Sequence, residues 1–331
     1  MPLGIKRLID EPIIHRGLSD HIGSNINGAS LIRVPDWLEE PLGRYYLYFA
    51  HHEGRYIRMA YGDSLTGPWR VYEPGVLDVE HSGFVAEDLT AAPGIRSKEE
   101  AENETESEAW LAPDNGDFLY AHIASPDVHV DHSQRVIRMY YHGMLDDGRQ
   151  KTRLALSSNG IDFRAEEPIL GICYFRVFHY GNYFYAIGWG GKLLRAKSWS
   201  GPFEQGPDIF EGVPVTPEGM VIRHVATRLR GDQLDLFYSC IGDYPETIRR
   251  TIVNLHEDWT KWQVQQPEIV LTPEKPWEGG DLPMERSSIG AAEGPVHGLR
   301  DPCVFEEDGK TYLLYCGAGE SCIGIAEMRY E

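Results

Sequence analysis

Apolar and polar residues along this chain alternate in short runs, and helix-length apolar periodicity is hard to find. The stretch Leu299 to Met328 shows the pattern most cleanly. A strand over Pro302 to Phe305 leads to an Asp308-Gly309 turn, then to a strand over Thr311 to Tyr315, a loop of small residues, and a strand over Gly324 to Met328. Apolar alternation on both sides of an Asp-Gly turn is the strongest short-range hairpin signal a sequence offers. A lone meander cannot bury both its faces, so it needs neighbours of the same kind.

Four such neighbours precede it, at about 27–79, 123–171, 173–211 and 221–272. Each reads as four strands, and two close on a Gly-Pro-aromatic turn, Gly67-Pro68-Trp69 and Gly201-Pro202-Phe203. The last unit, 299–331, lacks an outer strand. The run 5–14 has the Glu-Pro-Ile character of the outer strands at Glu167 to Leu170 and Pro267 to Leu271, and can supply it. The pattern predicts an all-β protein: one five-bladed β-propeller domain over 1–331, its four-stranded antiparallel blades closed by the N-terminal strand.

Composition agrees, with 35 Gly, 21 Pro and 11% aromatic residues set between β-rich runs. The net charge of −20 argues against nucleic acid or an anionic membrane as partner and favours a neutral small molecule. No apolar segment approaches the roughly 20 residues of a membrane span, and the start lacks the apolar core of a signal peptide, so a cytoplasmic location is expected. The cysteines at 173, 240, 303, 316 and 322 have no metal-finger spacing and read as buried free thiols. Two linkers are long. Residues 87–110 carry a glutamate-rich run that reads as a solvated loop, and 272–298, with Glu285, Arg286, Glu293 and His297, has the length of a functional loop.

In a propeller the first strand of each blade lines the central channel, so its start and the second loop of each blade meet at one mouth. That face collects Asn25, Asn27, Asp127, Arg176, Arg223, His224, Arg300 and Asp301 from first strands. Second loops add His51, His52, Glu53, His142, Trp189, Asp243, Glu246 and Glu320. Equivalent positions read Asn27, Asp127, Tyr174, Arg223 and Asp301. Two acids facing a small cavity are what glycoside hydrolysis requires, about 5–5.5 Å apart for retention and about 6.5–9.5 Å for inversion. Asp127 and Asp301 are therefore the expected catalytic pair. Asn27, His51, His142, Arg176, Trp189, Arg223, His224, Asp243, Glu246, Arg300 and Glu320 are the expected substrate contacts, and Glu218, Glu285 and Glu293 are weaker acids. No set of metal ligands is read; a structural divalent ion on the axis, held by His224 and water, is the one cofactor the pattern admits.

Ser125-Pro126-Asp127-Val128, Arg300-Asp301-Pro302 and the two Gly-Pro-aromatic turns resemble the blade motifs of five-bladed glycosidases similar to glycoside hydrolase family 43 and its relatives. The resemblance covers nearly the whole chain. It implies an Asp base in the first blade, an Asp modulator in the second and a Glu acid in the third. Asp127 matches the modulator, whereas the first blade offers Asn27 and the third offers Tyr174 to Phe178 without a Glu. Three functions stay open: a glycoside hydrolase acting on a small neutral saccharide, a phosphorylase whose Arg176, Arg223, Arg286 and Arg300 bind phosphate, or a saccharide-binding propeller without catalysis. The sugar, the linkage and the oligomeric state have no signature in the sequence.

Overall fold

The computed structural model describes residues 3–52, 54–89, 120–214, 221–292 and 294–330. Glu53, Glu218, Glu293 and nearly all of the glutamate-rich run lie outside these residues. Five antiparallel sheets form five blades. Blade one is Asn27–Arg33, Tyr45–Ala50, Tyr56–Gly62 and Arg70–Asp78; blade two is Ile123–Asp131, Val136–Met144, Gln150–Ser157 and Arg164–Ala165, with Gly171–Ile172 also on its third strand. Blade three is Arg176–Tyr180, Tyr183–Ile187, Leu193–Ala196 and Glu204–Gln205. Blade four is Val221–Arg230, Gln233–Ile241, Ile248–Asn254 and Glu268–Leu271. Blade five is Arg300–Glu307, Lys310–Gly317 and Cys322–Tyr330, closed by Leu3–Arg7 in register with Ala326 to Tyr330. Ile14–His15 adds a second short pairing on the same strand, so the N-terminal run latches the ring at two points.

Stacking explains why the blades need one another. Tyr45–Ala50 is buried at all six positions. Tyr45, Leu47 and Phe49 enter the apolar cluster against blade five, while Tyr46, Tyr48 and Ala50 enter the one against blade two. Side chains alternate faces along a strand, so a strand buried on both sides is apolar throughout. Further clusters fill the seams between blades two and three, three and four, and four and five. All five cysteines are buried and free.

The inner strands carry the feature that builds the site. In four blades the ladder from first to second strand skips two residues, between Asn27 and Ser30, Ala124 and Asp127, Ile222 and Val225, and Arg300 and Cys303. Such bulges bend a strand and re-aim its side chains. In blades two and five the second bulged residue is Pro126 or Pro302, which has no N–H to give to a ladder. The first bulged residue is left-handed in three of them, Gly28 at φ 62°, Ser125 at 52° and Asp301 at 50°, and Tyr174 takes φ 64° at the head of blade three. For a side chain other than glycine this costs on the order of 1–3 kcal/mol. Gly28 has no choice, because a Cβ there would stand 2.9 Å from the Ser125 Cα.

These bulges correct the expected equivalence. The residues at matching positions are Gly28, Ser125, Arg223 and Asp301, so Asn27 stands one residue early and Asp127 two residues late.

Candidate functional site at the axial mouth

The four bulges converge on the axis. Asp301 Oδ1 of blade five lies 2.6 Å from His224 Nδ1 of blade four, and Asp301 Oδ2 accepts the Gly28 N–H at 3.3 Å. The other His224 nitrogen, Nε2, is 3.4 Å from Ser125 Oγ of blade two, across the channel. All three side chains are buried. Burial lowers the His224 pKa despite the pull of Asp301, so the ring is neutral at pH 7. Burial raises the Asp301 pKa and Glu320 adds to it, but His224 and Arg300 outweigh both and keep the carboxyl ionised. Tyr174 roofs the cluster, its ring centroid 4.2 Å from His224 and 4.3 Å from His142.

Beside this cluster runs a buried ion chain. Arg223 Nε donates to Glu246 Oε1 at 2.9 Å, Glu246 Oε2 lies 2.8 Å from Arg300 Nη2, and Arg300 Nη1 donates to Glu320 Oε1 at 3.3 Å. Asn25 Nδ2 donates to Glu320 Oε2, and His52 Nδ1 is 3.6 Å from Oε1. Against the penalty of burial, His52, Arg300 and Arg223 hold the Glu320 pKa well below the usual carboxylate range.

Two spaces meet at Glu320, His52 and their neighbours. The outer is a cavity of about 790 Å³ lined by Asn25, His51, His52, Trp277, Ala292 and Glu320 among others. Its far wall belongs to the long 272–298 loop. That wall is fixed by Glu278, which accepts from Arg7 Nε and from the Tyr315 hydroxyl, both at 2.7 Å, and by Trp277 Nε1 donating to the Asp10 carbonyl at 2.7 Å. The inner space, about 10 Å³, has room for about one water and is walled by Asn27, His52, His122, Ser125, His142, Tyr174, Arg223, His224 and Glu320. Asn27 Oδ1 and His142 Nδ1, both buried on that wall, have no hydrogen-bond partner. His142 is neutral, its pKa driven well below the ordinary value by burial and by the neighbouring imidazoles.

Several expected contacts do meet here: Asn27, His142, Arg223, His224 and Glu320 in the inner space, His51 and Glu320 in the outer, and Trp189 in a side pocket with Tyr174, Arg223 and Gly290. Arg300 and Glu246 stand behind them in the ion chain. Arg176 lines none of these spaces and gives Nη1 to the Ser125 and Phe175 carbonyls. Asp243 is held by Arg249 and Thr247 and lines none of these spaces. Asp127 accepts from Val177 N–H at 2.8 Å and pairs with His129 at 2.8 Å, which places it in the seam between blades two and three. Asp301 is in the axial cluster beside His224 but lines neither space. Both His224 nitrogens face side-chain oxygens, and among the described residues no three His, Cys, Asp or Glu side chains are placed to hold a metal.

Sequence reasoning missed Ser125 and His122 and left His52 and Tyr174 out of the site. The Pro that follows both Ser125 and Asp301 was the available signal, because it marks the second bulged residue in either blade.

No protein-family model matches the chain. Among solved structures, a GH43_1 enzyme from Xanthomonas citri complexed with xylotriose superposes with a TM-score of 0.61 at 11% identity, covering 98% of this chain and 90% of that one. A GH43 β-xylosidase/α-arabinofuranosidase from a compost microbial metagenome gives 0.59 at 10% identity over 99% and 96%. An N-acetylgalactosamine deacetylase from F. plautii, in complex with blood group B trisaccharide, gives 0.54 at 12% identity over 98% and 95%. The fold is therefore the five-bladed propeller of these enzymes. In sequence, the chain is 34% identical over 324 residues to the uncharacterized protein R118 of Acanthamoeba polyphaga mimivirus, across 92% of this chain and 83% of that protein. This protein belongs to the same family as that viral protein.

Proposed function

We propose that this protein is a saccharide hydrolase, which takes a small neutral sugar into the outer cavity and presents it to Glu320. The carrying observation is that Glu320, buried and ionised, is the carboxylate common to both spaces of the mouth. The fold supports the reading, since structural neighbours at low identity cleave glycosidic bonds or deacetylate an amino sugar, though fold alone does not give function. In glycosidic cleavage Glu320 is the base or nucleophile, and His52, beside it on the cavity wall, is the group at hand to protonate the leaving oxygen. Phosphorolysis loses support, because Arg223 and Arg300 are matched by Glu246 and Glu320 and leave little charge for a phosphate.

The test is a screen of aryl-glycosides and neutral oligosaccharides, with and without phosphate, on wild type and Glu320→Gln. Turnover that needs no phosphate and falls at least about a hundredfold in the variant, with the melting temperature recorded alongside, is the expected result. Undiminished turnover by a folded Glu320→Gln protein would remove the assignment. One observation favours a binding protein without catalysis: Asp301 and Glu320 are both held ionised, so neither is a resting carboxylic acid. Saccharide binding with no turnover of any bond would select that reading.

A further inference from the structure

We infer that Ser125, His224 and Asp301 form a nucleophile, base and orienting acid for hydrolysing a short acyl ester carried by the saccharide. The inference rests on the proposed saccharide site for its substrate and names a second bond for the same mouth to cleave. Four observations carry it. The order of contacts is that of a serine hydrolase, Ser125 Oγ to His224 Nε2 at 3.4 Å and His224 Nδ1 to Asp301 Oδ1 at 2.6 Å. Such hydrogen bonds are often long before substrate binds. Ser125 is held in a left-handed conformation at a strand bulge, the kind of sharp turn that lifts a nucleophile out of its strand. The neutral imidazole is in the state a general base requires, and Asp301 Oδ1, 2.6 Å from Nδ1, is the acceptor that would hold a proton there.

The inner space supplies the last observation. Buried polar atoms with no partner are rare in native proteins, and here Asn27 Oδ1 and His142 Nδ1 belong to residues that line the same small space as the serine. A neutral His142 can present Nδ1–H to a developing oxyanion, as neutral imidazoles do at other carbonyl centres. The inner space, about 10 Å³, must widen for any acyl group to enter, and the smallest acyl groups need the least widening, with the sugar remaining in the outer cavity.

The steps balance without a co-reactant other than water. Ser125 Oγ attacks the carbonyl carbon while His224 Nε2 takes its proton. The ester C–O bond then breaks and the sugar oxygen leaves with that proton. Water, deprotonated by His224, attacks the acyl-serine; the acid departs, and the proton returns to Ser125. The net change is ester plus water to alcohol plus carboxylic acid.

The experiment incubates the full chain with a fluorophosphonate probe, maps the adduct by peptide mass spectrometry, and measures acid release from 4-nitrophenyl acetate, 4-nitrophenyl octanoate and peracetylated xylose. The expected result is a single adduct on Ser125 and acetate release well above octanoate release. Release should fall at least a hundredfold in Ser125→Ala and Asp301→Asn, with circular dichroism confirming that the variants fold. Glycoside turnover by wild type with neither adduct nor acetate release overturns the inference and leaves the proposed function standing. Acetate release that persists in folded Ser125→Ala also overturns it. Ser125-dependent cleavage of the aryl acetate without any saccharide binding supports the serine chemistry and counts against the saccharide reading alone.

Discussion

Asp127 and Asp301 look alike in the sequence and do different work in the fold. Each sits on an inner strand, each touches an imidazole, and each is kept ionised against burial. For Asp127 the imidazole is His129, two residues along its own strand and 38% exposed. For Asp301 it is His224, brought from the next blade and 6% exposed. Asp301 occupies the first bulged position and turns toward the axis; Asp127 follows the bulge, rejoins the ladder opposite Tyr140, and stitches blade two to blade three through Val177 N–H. Two residues of register separate a seam from a site. The axis concentrates buried charge whose members depend on one another, while the seam relies on single bonds between apolar faces.

The sharpest way to break that contrast is to remove a shared counter-ion. Glu246 is 1% exposed and serves both Arg223 and Arg300. Glu246→Ala leaves two guanidinium groups short of charge in the interior and should cost about 3–5 kcal/mol, the range for breaking a buried ion pair. Chemical denaturation of wild type and variant measures it. A loss below about 1 kcal/mol, the size of one ordinary hydrogen bond, would mean that the axis is no more interdependent than the seam.

Acidification tests the same region with a smaller effect. His122 lines the inner space, and burial lowers its pKa from 6.5 to about 4. Unfolded chains bind a proton there below pH 6.5 and the folded protein does not until about pH 4. Its contribution is therefore fully present above pH 6.5 and is lost as pH falls toward 4, on the order of 3 kcal/mol in all. His122→Gln should flatten the fall in melting temperature between pH 7 and 5. An unchanged slope would show that His122 is as accessible to protons folded as unfolded.

How far the chain disclosed this depends on the kind of signal. Strands such as Tyr45–Ala50 and the Asp308-Gly309 turn are written locally, in alternation and turn chemistry, so the five blades and the N-terminal closure were legible. The site is written in register. A bulge has no composition of its own, and counting from charged residues selected Asp127, while the shared Pro at 126 and 302 would have selected Ser125. His52 and Tyr174 were within reach of the same topology, whereas His122 precedes its strand and is placed only by the packing of blade two.

The smallest expected effect tests the register directly. Ser30 follows the bulge of blade one as Asp127 follows that of blade two, and its hydroxyl accepts the Val128 N–H at 2.9 Å just as Asp127 accepts that of Val177 at 2.8 Å. If the two are the same structural device, Ser30→Ala should cost about 1–2 kcal/mol by leaving a buried N–H without its acceptor. Asp127→Ala should cost somewhat more, because its acceptor is charged and also holds His129. Neither residue lines the axial cavity, so neither change should alter the labelling of Ser125. Urea denaturation and probe labelling of the two variants decide the matter together. Loss of labelling in Asp127→Ala, without the same loss in Ser30→Ala, would return Asp127 to the site and undo the alignment on the bulge.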